Sequence, residues 1–134
     1  MTAPSPAQRF VFPAVADIVA IAVFIAIGRR SHDESGSIVG YLNSVWPFLV
    51  GGAVGWAVAA AVSRGRGFAP AGLWPAGVCI WISTVVIGML LRVASGQGTA
   101  LAFCIVASIS TAVLLLGWRA VVAALTRRSA PAAV

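Results

Sequence analysis

Residues 41–62 read YLNSVWPFLVGGAVGWAVAAAV, a run without a single charged residue. A bilayer's hydrocarbon core is about 30 Å thick and takes roughly 20 helical residues to cross, at about 1.5 Å rise each. Tyr41–Val62 has that length. Working outward from it, three more stretches match: Pro13–Gly28 before it, and Leu73–Leu91 and Thr99–Trp118 after it. Together the four fill most of the 134 residues and leave no room for a soluble domain. The fold class that follows is all-α: an integral membrane protein with four transmembrane helices in an up-down antiparallel bundle, since short loops make successive helices antiparallel neighbours.

Composition agrees. Hydrophobic residues make up 60% of the chain and charged residues 9%, against about 45–50% and about 25% in soluble domains. The formal net charge of +6 does not indicate nucleic-acid binding. All nine basic residues are arginines, placed in or beside the gaps between apolar stretches, whereas nucleic acid needs a basic face on a folded surface. Cys79 and Cys104 lie inside apolar stretches at depths that differ by roughly 13 Å. A disulfide needs Cα atoms within about 7 Å, so both are expected to be free thiols.

The arginines set the expected orientation. Arg9, Arg64, Arg66, Arg119, Arg127 and Arg128 fall on the side of the two termini; Arg29, Arg30 and Arg92 fall on the other. Excess arginine marks the cytoplasmic side, which places both termini in the cytoplasm of a cell with a multi-pass plasma-membrane protein. Arg9 followed by an apolar run resembles a signal peptide, but Asp17 interrupts the run. Arg29–Arg30 stand where a small-residue cleavage site belongs, so the first helix is expected to be retained. The organisation is an N-terminal tail 1–12, a membrane domain 13–120 with spans at about 13–28, 38–62, 73–91 and 99–118, and a C-terminal tail 121–134. Pro13 starts the first span. Pro75 belongs in the first turn of the third, where a missing N–H does no harm. Pro47 lies inside the second and leaves the carbonyl of Asn43 without its helical N–H.

Small residues recur at four-residue spacing: Gly51, Gly55 and Ala59; Thr84 and Gly88; Ala100, Cys104, Ser108 and Ala112. Such stripes let backbones approach closely in lipid, within the chain or in a homo-dimer or larger membrane complex. Trp46, Trp74 and Trp118 fall near the interfaces, while Trp56 and Trp81 lie deeper.

Two places could carry function. The outer end of helix one gathers Arg29, Arg30, Ser31, His32, Asp33 and Glu34, and the third loop brings Arg92, Ser95 and Gln97 to the same face. Three readings stay open there. One is a structural pairing of Arg92 with Asp33 or Glu34. Another is a site for an anionic lipid headgroup or small solute, since guanidinium forks suit phosphate and carboxylate. The third is a proton or cation site using His32 with an acid. Asp17 is the one acid inside an apolar stretch, and such a carboxylate needs a partner. Arg119 lies at similar depth, either as a structural partner or beside a titrating group on a translocation path. No catalytic residues, cofactor or metal site emerge: Ser31, His32 and Asp33 are consecutive and project apart, and no nucleotide or zinc motif is present.

The strings ADIVAIAVFIAIGRRSHDE, WPFLVGGAVGW, LWPAGVCIWISTVVIGMLLRVASGQGTA and LLGWRA resemble domain-of-unknown-function family 3054, a group of small predicted membrane proteins of bacteria and archaea. The likeness runs from about Ala14 to Ala120. It implies a four-helix membrane protein and brings no activity, substrate or site residue with it. The expected function is non-enzymatic: binding or passing a small solute or lipid at the outer polar site. A non-catalytic accessory or structural subunit of a larger membrane complex stands as the alternative.

Overall fold

The computed structural model describes residues 5, 7–31, 37–64 and 67–129, without the side chains of Ala7, Arg30, Ser31 and Ser129. Helix α1 spans Phe12–Ser31, α2 Ile38–Val62, α3 Val78–Ala94, α4 Leu101–Thr111 and α5 Gly117–Ser129. A wide turn, Ala112–Leu116, joins α4 to α5 in one continuous helix. The spans are therefore four, Gln8–Arg29, Ile38–Val62, Leu73–Ala94 and Leu101–Arg128, and no strand occurs among the described residues. This is the expected all-α bundle of a multi-pass membrane protein. Its outer surface carries large apolar residues such as Ile18, Val54, Ile82 and Ile109, each more than a third exposed, as a surface facing lipid must.

The helix ends differ most from expectation at the first start and the last end, for local reasons; α1 and α3 also run three residues past Gly28 and Leu91, to Ser31 and Ala94, and α4 starts at Leu101 rather than Thr99. The first helical segment starts before Pro13. Ser5 Oγ accepts from the Gln8 backbone N–H (3.2 Å) and Gln8 Oε1 accepts from the Ser5 N–H (3.0 Å), a reciprocal capping box that launches a wide turn at Ala7–Val11. The last helix runs on past Trp118 to Ser129, because GWRAVVAALTRR contains no breaker before Pro131 and Arg127 and Arg128 suit its C-terminal carbonyls. Three further ends carry a local sequence signal. Ser37 caps α2, its Oγ accepting from Gly40 N (3.1 Å). Pro75 precedes the regular part of α3 after an extended Trp74 (φ −128°, ψ 135°). Gly96 terminates α3 in the left-handed region (φ +79°), where glycine has no Cβ penalty.

Helices α2 and α3 pack backbone to backbone. A Cβ on Gly55 would lie 2.7 Å from Ile80 Cα, and one on Gly51 2.9 Å from the carbonyls of Ser83 and Thr84. A Cβ on Gly88 would meet the Phe48 ring at 2.7 Å. The small-residue stripe of α2 is thus consumed within the chain. Phe48 is fully buried and meets Phe24 edge-on at 5.5 Å. Around it Ile21, Ile25, Val45, Ala107 and Leu115 form the core. A second cluster of Ala59, Ala76 and Ile80 sits under Trp56 and Phe68. Thr84, Ser108 and Thr111 turn their hydroxyls onto carbonyls of their own helices (2.6–2.7 Å), which satisfies each hydroxyl within its own helix.

Contacts at the two ends fix the topology. At one end Arg9 Nη2 donates to the Phe68 carbonyl (3.2 Å), and Phe12 meets Trp118 edge-on (5.7 Å). The N-terminus, the α2–α3 loop and α5 therefore share this terminal end. At the far end Arg29 reaches Ser44, and Gln97 reaches Asn43, so the α1–α2 and α3–α4 connections share that one.

Candidate functional site

The terminal end holds a buried ion pair. Asp17 lies on α1, and Arg119 on α5 is fully buried. Arg119 Nη1 donates to Asp17 Oδ1 (2.7 Å) and Nη2 to Oδ2 (2.8 Å), the bidentate fork geometry. Its remaining donors go to carbonyls: Nη1 to Leu115 (2.9 Å), Nε and Nη2 to Pro70 (3.1 and 2.9 Å). All five N–H groups of the guanidinium are used. The carboxylate also accepts from the indoles of Trp56 (2.9 Å, at Oδ2) and Trp118 (3.0 Å, at Oδ1). The guanidinium carbon sits 4.4 Å from the Trp118 ring centroid. Among the described residues no buried side-chain nitrogen or oxygen lacks a hydrogen bond.

Three sequence features make this arrangement possible. Gly77 leaves space for the arginine: a Cβ there would stand 2.8 Å from Arg119 Cδ. Pro70 is itself buried, presenting its carbonyl inward. The wide turn at Ala112–Leu116 sets the rotation. A four-residue step overshoots one α-helical turn by about 40°, whereas a wide turn holds more residues and offsets that drift. Ala107, Thr111, Leu115 and Arg119 consequently stay on one buried line. A crevice of about 400 Å³ between α1 and α2, lined by Ile18, Ile21, Leu49 and Gly52, borders Asp17 and Trp56.

The far end holds a larger cleft of about 590 Å³ between α1, the start of α4 and the α3–α4 loop. Arg29 and Arg92 both line it, with Ser44, Gln97 and Phe103; Phe24 and Ile25 on α1 and Val106 on α4 line it about a turn further in. Arg29 Nη1 donates to Ser44 Oγ (3.0 Å) and the Gly40 carbonyl (3.2 Å). Gly40 permits this approach, since a Cβ there would lie 2.7 Å from Arg29 Nη2. Arg92 donates to the Gly98 carbonyl from Nε (2.9 Å) and Nη2 (2.6 Å), and from Nη1 to Gln97 Oε1 (3.0 Å). Its guanidinium lies 4.4 Å from the Phe103 ring centroid. Gln97 Nε2 in turn donates to the Asn43 carbonyl (3.0 Å), the group that Pro47 deprives of its helical donor.

Of the residues singled out by sequence, the structure joins Asp17 to Arg119 and brings Arg29 and Arg92 to one cleft. His32, Asp33 and Glu34 lie outside the described residues, as does the Arg30 side chain, so a pairing of Arg92 with Asp33 or Glu34 does too. Sequence reasoning missed Trp56 and Trp118 as donors to Asp17 and the Pro70 carbonyl as acceptor for Arg119. A signal existed for the first two: a buried carboxylate has about four lone-pair positions, more than one arginine fork fills. Among the described residues no three His, Cys, Asp or Glu side chains cluster as metal ligands. Both cysteines are free; Cys104 Sγ rests 3.8 Å from Met89 Sδ.

Residues 14–122 match the model of the family described as Protein of unknown function (DUF3054). The chain belongs to the DUF3054 family. The DUF3054 region starts before Asp17 and ends after Arg119, so it contains both partners of the ion pair and the whole far-end cleft. No curated protein matches the chain, and no solved structure does.

Proposed function

We propose that this protein is a non-enzymatic membrane protein that binds, and in a wider assembly passes, a small solute or lipid at the far-end cleft, with that end outside and both termini cytoplasmic. The observation that carries the reading is the convergence of Arg29 and Arg92, 63 positions apart, on one open cleft of about 590 Å³. That volume falls within the range of ligand sites, roughly 300–1,000 Å³, and apolar walls with few polar groups are their usual lining. Asp17–Arg119 supports a structural role: every donor of the arginine is engaged within the chain, and the pair ties α1 to α5. The accessory-subunit alternative draws less support, because Gly51, Gly55 and Ala59 are buried under the protein's own helices.

The test is an intact native mass spectrum of the protein purified in mild detergent. A retained non-protein mass that disappears in Arg92→Ala and Arg29→Ala supports the site. A protein that emerges without any such mass but bound to another membrane protein replaces it with the accessory-subunit reading. Reporter fusions at Ser5 and Ser129 test the orientation.

A further inference from the structure

Resting on that reading of the cleft, we infer that its ligand is a lipid with an anionic phosphate headgroup, admitted sideways from the bilayer between α1 and α4. The lining sorts by depth. Arg29 and Arg92 sit at the mouth, where the headgroup region lies. Phe24 and Ile25 lie about one turn deeper on α1, roughly 6 Å or more along its axis. A hydrophilic ion would match the mouth and leave the apolar wall empty; an amphiphile matches both.

The way in is lateral. The cleft is walled by the first and last spans of the bundle, and its α4 lip is made of Ala102 and Val106, both exposed on the lipid-facing surface. The α1 lip is Gly28, where a Cβ would meet nothing within 4 Å. The α2–α3 seam is the opposite, closed at Gly51 and Gly55 by backbone contact. The cleft is about a turn and a half deep, so it accepts a headgroup and the first carbons of an acyl chain while the rest of the chain stays in the bilayer.

Charge selects the headgroup. Guanidinium makes directional, charge-assisted bonds to phosphate oxygens. Arg92 is held in place by Gly98, Gln97 and Phe103, so little side-chain freedom is lost when a ligand arrives.

The experiment reconstitutes the protein in nanodiscs holding equal amounts of phosphatidylglycerol and phosphatidylcholine, extracts it gently and counts bound lipid by native mass spectrometry. Inorganic phosphate serves as the free-anion probe in a parallel titration. We expect an about ten-fold preference for phosphatidylglycerol, the worth of one charge-assisted bond, abolished in Arg92→Gln. Gly28→Leu fills the cleft from a position with open space around it, so it should keep the fold and lose the bound lipid. Phosphatidylglycerol retention unchanged in Gly28→Leu, or equal retention of both lipids, overturns the inference. Binding of inorganic phosphate without phosphatidylglycerol overturns it while leaving a solute site at the cleft. Binding of neither removes both readings.

Discussion

Arg119 and Asp17, 102 positions apart, form a two-pronged ion pair at 2.7 and 2.8 Å in which the arginine has no exposed surface. Removing one partner leaves the other charged, buried and uncompensated, an effect of about 3–5 kcal/mol. Asp17→Asn and Arg119→Met should each lower the thermal midpoint in detergent sharply. The double variant should recover much of the loss, because the surviving groups are then neutral. It should also still retain the cleft ligand. A double variant that folds well yet loses the ligand would move Asp17 from the scaffold to the functional pathway.

Pro47 and Gln97 are coupled through one acceptor, the Asn43 carbonyl. In Pro47→Ala, residue 47 regains the N–H that an α-helix directs to that carbonyl. Gln97→Leu should therefore cost about 1 kcal/mol more with Pro47 present than in the Pro47→Ala background. Chemical denaturation of the four proteins in a double-mutant cycle reads this coupling directly. A coupling of zero would mean that Gln97 contributes through Arg92 and Ser95 rather than through the proline gap.

Gly55→Leu should disrupt the protein itself. Its Cβ would stand 2.7 Å from Ile80 Cα and 3.2 Å from the Ile80 carbonyl, and backbone cannot swing aside as a side-chain tip can. Overpacking typically costs about 1–3 kcal/mol even where side chains yield; here α2 and α3 must separate. The expected result is low yield of folded monomer by size-exclusion chromatography. Normal folding with loss of a co-purifying partner would return the stripe to an intermolecular role.

The spans were legible because hydropathy is summed over about twenty residues, so errors at single positions cancel. Gathering Arg29 and Arg92 at one end needed nothing beyond the up-down topology. Helix ends were harder. Ser5–Gln8 lies outside the apolar run and announces itself through capping chemistry alone, and the last helix continues through GWRAVVAALTRR, where polarity rises but nothing breaks the backbone. The partners of Asp17 were hardest. Sequence reports depth along a helix axis, and so Arg119 could be matched to Asp17. Rotation about the axis depends on the wide turn at Ala112–Leu116, which no proline or glycine within it marks. Trp118, read as an interfacial ring, is turned inward onto the carboxylate.

Two glycines beside that ion pair should respond oppositely to the same substitution. At Gly77 a Cβ would meet Arg119 Cδ at 2.8 Å, Leu116 Cδ2 at 3.0 Å and the Gly72 carbonyl at 3.1 Å. Gly77→Ala must therefore push the guanidinium off a position in which five hydrogen bonds were aligned, and should lower the thermal midpoint. Gly117 is helical (φ −62°, ψ −48°) with nothing within 4 Å of a Cβ. Gly117→Ala removes backbone freedom from the unfolded chain without a clash and should stabilise by about 0.4–1 kcal/mol. Because the two residues flank the same arginine, one from the α2–α3 connection and one from α5, the contrast in sign separates space for Arg119 from any general sensitivity of this end of the bundle. Equal destabilisation by both would show that the helix around Gly117 needs its flexibility. A silent Gly77→Ala would show that Arg119 can shift and still hold Asp17.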